Sequence, residues 1–243
     1  VAEIFALRAM SALANRISLA ARAGLTFEGR RDLYKILGYK EELTPEDYLL
    51  RFQRNGVAAR IVETFPKSTW RGGAEVWEDD DPSVLTTFEK AWDELAERLS
   101  VWAIFQRADV LAGLGHYSVI FLGAGDGQDF SRPLEKLKIE QLAYLTPYSE
   151  ADAIISKFVT DPTDERFGLP ELYQITMLRN VPGARVNSSV TRPVHASRVI
   201  HVADGLLDNH VWGTPRLERC WNLLDDLEKV TGGGSEAFWL RAN

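Results

Sequence analysis

Six large apolar residues, Leu85, Phe88, Trp92, Leu95, Leu99 and Trp102, recur at alternating spacings of three and four. On an α-helix that spacing lays all six along one stripe, because 3.6 residues make a turn. Asp81 is a suitable cap and Pro82 a suitable first-turn residue. The helix is expected to continue to about Leu111, with a break near Ser100, and to end at Gly113 or Gly115. Tryptophan and phenylalanine on such a stripe supply buried area, so it reads as core packing rather than a cofactor box. Its near-heptad spacing also suits a helix–helix seam.

After this stripe the period changes from helix to strand. Tyr117 to Leu122 is a short apolar run of the kind that forms a buried strand. Gly123, Gly125 and Gly127 mark a turn, and Glu140 to Leu145 is the expected returning strand, ended by Pro147. Ser149 to Ser156 reads as a short helix or loop, and Asp161-Pro162 as a turn. Leu172–Leu178 and Arg198–Val202 read as further strands, separated by the turn-rich stretch from Asn180 to Pro193. Long helices followed by short strands predict an α+β fold, with the helices packed on a small mixed or antiparallel sheet.

Shorter helices flank this centre. Ala6–Ala23 is rich in Ala, Leu and Arg, with Gly24 as a stop, and Gly29–Gly38 reads as a loop and a short helix. Thr44-Pro45-Glu46-Asp47 is a helix start with a cap, a first-position proline and acids at the positive end of the dipole. Asn55-Gly56 interrupts that helix and Pro66 is expected to stop it. At the other end Thr214-Pro215 repeats the start signal. Leu217, Cys220, Trp221, Leu224 and Leu227 then share a face, and Gly232-Gly233-Gly234 ends the helix or hinges it. On this reading Arg216, Arg219 and Lys229 are polar positions of that helix, facing solvent by default or else a channel or a neighbouring subunit.

Composition narrows the function classes. Hydrophobic residues make up 45% of the 243, enough for a core and too many for a disordered chain. A net charge of −7 argues against a protein that coats nucleic acid, which is usually basic. The single cysteine, Cys220, excludes an intrachain disulfide and any paired-cysteine zinc site. No stretch approaches the roughly 20 apolar residues of a membrane span. The chain opens at Val1 and closes at Leu240-Arg241-Ala242-Asn243, and is expected to be a segment of a longer protein.

Candidate chemistry is sparse. Gly123-x-Gly125-x-Gly127 lacks both the GxGxxG spacing and a Walker lysine, so a hairpin turn is the better reading. Glu78-Asp79-Asp80-Asp81 and the Arg30-Arg31 pair read as solvated charge, and neither a metal nor a cofactor is expected. Cys220 sits beside Trp221 on an apolar face, the setting of an inert thiol. The sharpest candidates are two triplets, His116-Tyr117-Ser118 and His195-Ala196-Ser197, each just ahead of an apolar strand. Such H-x-S pairs resemble those of the 2H phosphoesterases. That resemblance implies general acid–base roles for His116 and His195, with Ser118 and Ser197 holding a phosphate.

A wider resemblance runs in order along residues 45–243. Asn55-Gly56-Val57-Ala58-Ala59-Arg60-Ile61-Val62-Glu63 is similar to a helix of the tailed-phage portal proteins, and Trp70-Arg71-Gly72-Gly73 to their entry into the wing. Gly115-His116-Tyr117-Ser118-Val119-Ile120 after a helix, and Asp161-Pro162 ahead of Arg166-Phe167-Gly168-Leu169-Pro170-Glu171-Leu172-Tyr173, resemble two further portal segments. His195-Ala196-Ser197-Arg198-Val199-Ile200-His201, followed by Gly205 and the Thr214 segment, is the fullest likeness.

The resemblance implies a non-enzymatic ring, typically a homo-dodecamer, at one capsid vertex of the virion. Double-stranded DNA would pass through it during packaging and ejection. The implied partners are the major capsid protein, the terminase large subunit and a head–tail adaptor, with assembly in the host cytoplasm and no membrane. Residues 1–43 would be an N-terminal helical region, 44–213 the wing, and 214–243 the first stem helix and the start of the clip. The clip proper, second stem helix and crown are missing from this stretch of sequence. DNA-contacting residues are not identifiable from the sequence. An acidic surface suits a conduit, since each phosphate neutralised would tighten the grip on DNA.

Overall fold

The computed structural model describes residues 17–19, 32–78, 85–135, 137–179 and 188–242. The expected helix over Ala6–Ala23, the Arg30-Arg31 pair and most of the acidic run from Glu78 to Asp81 lie outside them, except that residues 17–19 are helical. The chain divides into two units, residues 1–43 with 221–243, and residues 44–220.

Helix α1 (Leu33–Leu37) belongs to the smaller unit, and the larger one begins with α2 (Pro45–Arg54). Thr44 and Asp47 form a reciprocal capping box at the start of α2, as the Thr-Pro signal leads one to expect. Asn55 ends α2 and caps α3 (Gly56–Thr69) by accepting from the amides of Val57 and Ala58. Pro66 does not stop α3 but lies inside it. A proline there leaves the carbonyl four residues earlier without its helical donor. That carbonyl belongs to Val62, a fully buried residue, and the Arg216 guanidinium donates to it at 2.9 Å.

The striped segment is two helices rather than one. α4 (Thr87–Leu99) starts at a capping box of Thr86 and Glu89, not at Asp81-Pro82. Ser100 then adopts a left-handed conformation (φ 51, ψ 48), which breaks the helix where a break was expected. α5 (Val101–Leu114) follows. Leu95 is buried, whereas Leu85 and Phe88 at the head of the stripe are exposed. Trp102 stacks on Trp70, with ring centres 6.0 Å apart, and meets Trp92 and Phe105 edge-on. Gly73 has φ 71, and a Cβ there would lie 2.9 Å from the Trp102 indole, so the turn needs glycine twice over.

The α+β class holds, and the strands divide into two antiparallel three-stranded sheets. The first has the order β2 (Leu142–Ser149), β1 (Ser118–Ala124), β6 (Val199–Val202). The second has the order β3 (Ala153–Phe158), β4 (Pro170–Arg179), β5 (Ser188–His195). Pro147 does not end β2, which runs on to pair Ser149 with Ser118. The region read as a helix or loop after Ser149 supplies β3, and the end of the turn-rich stretch supplies β5.

Tyr117, Val119 and Phe121 point from one face of β1 into a core shared with Ala153, Tyr173, Ile175 and Val194 of the second sheet. The opposite face turns Ser118 toward α5, where its hydroxyl donates to the Ala108 carbonyl at 2.7 Å. β1 is thus covered on both sides, which is why its sequence is a continuous apolar run rather than an alternating one.

In the smaller unit, Asp32 caps α1 and Gly38 ends it with φ 68. α6 (Trp221–Ala242) is a long helix that starts later than the Thr214 signal suggests and continues through Gly232-Gly233-Gly234. Asp226 on α6 accepts from the Tyr39 hydroxyl at 2.6 Å, and Lys229 donates to the Leu37 carbonyl and lies 4.7 Å from the Tyr39 ring centre. Between Thr214 and Trp221 the chain instead makes a turn and a short 3-10 helix, Glu218–Cys220, in which Glu218 donates to the Pro215 carbonyl. Thr214 donates to the Asp204 carbonyl and Arg216 to that of Gly113.

Candidate functional site

The two H-x-S triplets attach to the same pair of strands. β1 and β6 pair from Ser118 with Val202 to Phe121 with Val199. His116 and Ser118 therefore lie at the Val202 end of the ladder, and His195 and Ser197 beyond its Val199 end. At about 3.3 Å per residue, at least about 10 Å of strand separates them.

Their side chains are also occupied differently. The His116 ring Nδ1 is 3.1 Å from both carboxylate oxygens of Glu150, and one of those oxygens also accepts from the His116 amide at 2.8 Å. Ser118 is fully buried under Ala108. At the other end His195 Nδ1 accepts from the Ser197 amide at 3.1 Å and meets the Ser197 hydroxyl at 2.9 Å, while that hydroxyl accepts from the Leu134 amide at 2.7 Å. Burial, assisted by the Arg166 charge, pushes His195 below the ordinary histidine value. Acid–base catalysis on one phosphate needs both histidines within hydrogen-bond reach of it. The register sets the two triplets at opposite ends of the β1–β6 ladder.

What the segment from His195 to His201 does instead is hold the fold. Arg198 is fully buried. Its Nη2 donates to Asp126 at 2.7 Å and its Nε to the Arg132 carbonyl at 2.9 Å, while Nη1 has no hydrogen-bond partner among the described residues. This contact keeps the Asp126 carboxyl below the usual carboxylate range. His195 donates its amide to the Phe130 carbonyl, and Phe130 packs edge-on against Phe121. His195, Ser197 and Arg198 thus fasten the long connection between β1 and β2.

His201 joins the two sheets. Its Nε2 donates to the Val211 carbonyl at 2.9 Å, which leaves Nδ1 free to accept from the Tyr173 hydroxyl at 3.0 Å. Its ring stacks on Tyr117 at 4.9 Å. Burial pushes His201 below its ordinary value, since charging it there costs hydration. The Tyr117 hydroxyl donates to Ala153 at 2.7 Å, and burial raises that group to about 12.

Arg216 is the second anchor, and its place corrects the solvated-face expectation. Nε donates to Asp204 at 2.8 Å, Nη2 to Asp109 at 2.7 Å and Nη1 to Val62 as above. Asp109 in turn accepts from the Trp70 indole at 3.0 Å. A Cβ on Gly113 would lie 2.7 Å from Arg216 Nη1, so that helix position must stay small. The Cys220 thiol is raised by burial, and its sulfur lies against the carbonyls of Arg216 and Leu217. No group of three or more His, Cys, Asp or Glu side chains is placed to hold a metal among the described residues. No described helix is long and apolar enough to cross a membrane.

The sequence singled out the His195–His201 segment but not the burial of Arg198, and it missed Arg216. The one signal for Arg216 was Pro66, whose missing amide requires a donor from elsewhere without saying which.

Comparison with known proteins places these anchors in a family. Residues 47–239 match the family described as phage portal protein. Two curated relatives carry the name "Anti-CBASS protein Acb1". One, from Sphingomonas paeninsulae, is 32% identical over 121 residues, 49% of this chain and 19% of the relative. The other, from Caulobacter sp. (strain RHG1), is 25% identical over 207 residues, 80% of this chain and 30% of the relative. The chain therefore spans less than a third of either relative, and most of each lies outside the match. The family match, in contrast, takes in the helices of the larger unit, both sheets and most of α6. This chain belongs to the phage portal protein family.

Proposed function

We propose that the chain is the wing and first stem portion of a portal ring, a homo-dodecamer at one capsid vertex that conducts double-stranded DNA during packaging and ejection. It docks the terminase large subunit and a head–tail adaptor and is seated in the major capsid protein. Residues 1–43 form the N-terminal helical region, 44–213 the wing, and 214–243 the stem helix and the start of the clip, with α6 as the helical part of that last segment. The protein works without catalysis or a cofactor.

The observation that carries this reading is the family match over 47–239. The side-chain roles agree with it. The motif residues His195, Ser197, Arg198 and His201 spend their polar atoms on the fold. Large apolar side chains such as Phe65, Trp77, Leu207, Phe238 and Trp239 are exposed, as surfaces destined for neighbouring subunits require. The acidic balance lets DNA slide without being held.

The relatives' name gives the competing reading, an anti-CBASS role for this segment. The small share of each relative that matches, and the separation of the two H-x-S triplets, weigh against it.

Native mass measurement on the full-length gene product tests the proposal. The expected result is a single closed oligomer near twelve subunits. A monomer that turns over cyclic phosphodiesters, and loses that activity in both His116→Ala and His195→Ala with the fold intact, overturns it.

A further inference from the structure

A pocket of about 320 Å³ opens where the start of α2, the end of α5 and the turn after β2 meet. Its walls are apolar, formed chiefly by Pro45, Leu49, Leu111 and Leu114, and its two acids are Glu46 and Glu150. Among the described residues, no lysine, arginine or histidine lines it. Leu49 is 42% exposed at its edge. Glu46 is exposed and, among the described residues, has no hydrogen-bond or ion-pair partner. Glu150 is held from behind by His116. Asp47 and Asp152 stand on the same two rim segments, with Asp47 turned to Thr44 and Asp152 to Ser149.

An apolar cleft between carboxylates selects its occupant by charge. Phosphates are repelled, which excludes nucleic acid and anionic lipid headgroups. A cation alone would leave the leucine walls unused. We propose that this pocket docks a peptide segment of a partner protein that carries an aliphatic side chain next to a lysine or arginine. The aliphatic group fills the space between Leu49, Leu111 and Leu114, and the cation reaches Glu46 at the rim. The volume suits one or two aliphatic side chains, so the recognised segment is short.

The test is fluorescence anisotropy on the full chain, with a labelled octapeptide of alternating leucine and arginine as the probe. Saturable binding is expected. Leu49→Ser should weaken it about tenfold, for the loss of one half-buried leucine contact. Glu46→Gln should weaken it about threefold, as for an exposed ion pair. A peptide with serine in place of leucine should not saturate. The proposal is overturned if the serine peptide binds as well as the leucine peptide, because the attraction is then general charge. It is equally overturned if Glu46→Gln and Leu49→Ser both bind like the parent. Because Leu49 and Glu46 are exposed, both variants should retain the fold, and the serine-peptide comparison decides the question on the parent chain even if one does not.

Discussion

Arg198 and Arg216 hold two regions of the larger unit by opposite strategies. Arg216 is slightly open to solvent and satisfies every nitrogen of its guanidinium. It reaches two carboxylates and the Val62 carbonyl that Pro66 leaves without a donor. It joins α3, α5 and the segment after β6. Arg198 is wholly buried, pairs with the single carboxylate of Asp126, and has no hydrogen-bond partner for Nη1 among the described residues. It fastens one connection onto one strand. Burial is thus the poorer guide to importance here. The less buried arginine repairs a defect in a helix and ties three elements, whereas the more buried one fastens a single connection.

Substitution by methionine, similar in length and uncharged, separates the two. Arg216→Met should cost the most, about 3 kcal/mol, because it strands Asp109, Asp204 and the Val62 carbonyl together. The figure sits at the low end for a buried pair because Asp204 is 45% exposed and partly recovers its hydration. Urea unfolding followed by circular dichroism reads it, and a loss under about 1 kcal/mol would break the comparison.

Gly113→Ala probes the same anchor from the side. The added methyl presses on an arginine held on every nitrogen, which should outweigh the gain in helix propensity and leave a net loss of about 1–2 kcal/mol. Combined with Arg216→Met the loss should largely vanish, since the obstacle is the arginine itself.

Arg198→Met should cost less than Arg216→Met, since it frees one carboxylate, Asp126, and the Arg132 carbonyl rather than two carboxylates and a buried helix carbonyl. Its signature is local. Amide exchange should quicken over residues 125–135 and remain slow in α3 and α5. Quickening across the whole unit would contradict the division of labour.

The sheet seam supplies the smallest effect. His201 has a lowered value in the folded chain, so between that value and the ordinary 6.5 the unfolded chain binds more protons. Stability should therefore be complete above about pH 6.5 and fall as the pH drops below it. His201→Gln keeps a donor for Val211 and an acceptor for Tyr173, and should flatten the slope of stability between about pH 7 and 5. His195 shifts in the same direction and will leave a residual slope.

Local signals in the sequence were legible where chemistry is local. The Thr44 cap and first-position Pro45 place α2 correctly, and the break at Ser100 and the strand at Tyr117–Leu122 follow from patterning. Misreadings arose where a distant partner decides. Pro66 is tolerated because Arg216 supplies its missing bond, and Thr214-Pro215 leads first into a 3-10 turn, with the Thr214 and Arg216 amides tied to Asp204 and Gly113, before α6 begins at Trp221. The start of α4 was readable in principle, since Thr86 and Glu89 have capping-box spacing, but Asp81-Pro82 offered a competing signal. The H-x-S triplets show the limit of motif reading. Each is where the sequence puts it, yet strand register decides whether they can meet.

The portal account is tested most directly by electron microscopy of the full-length gene product. It predicts a closed ring with a central hole of about 20 Å or more, wider than the roughly 12 Å major groove of the duplex it must pass. A compact monomer or dimer with no hole would contradict it.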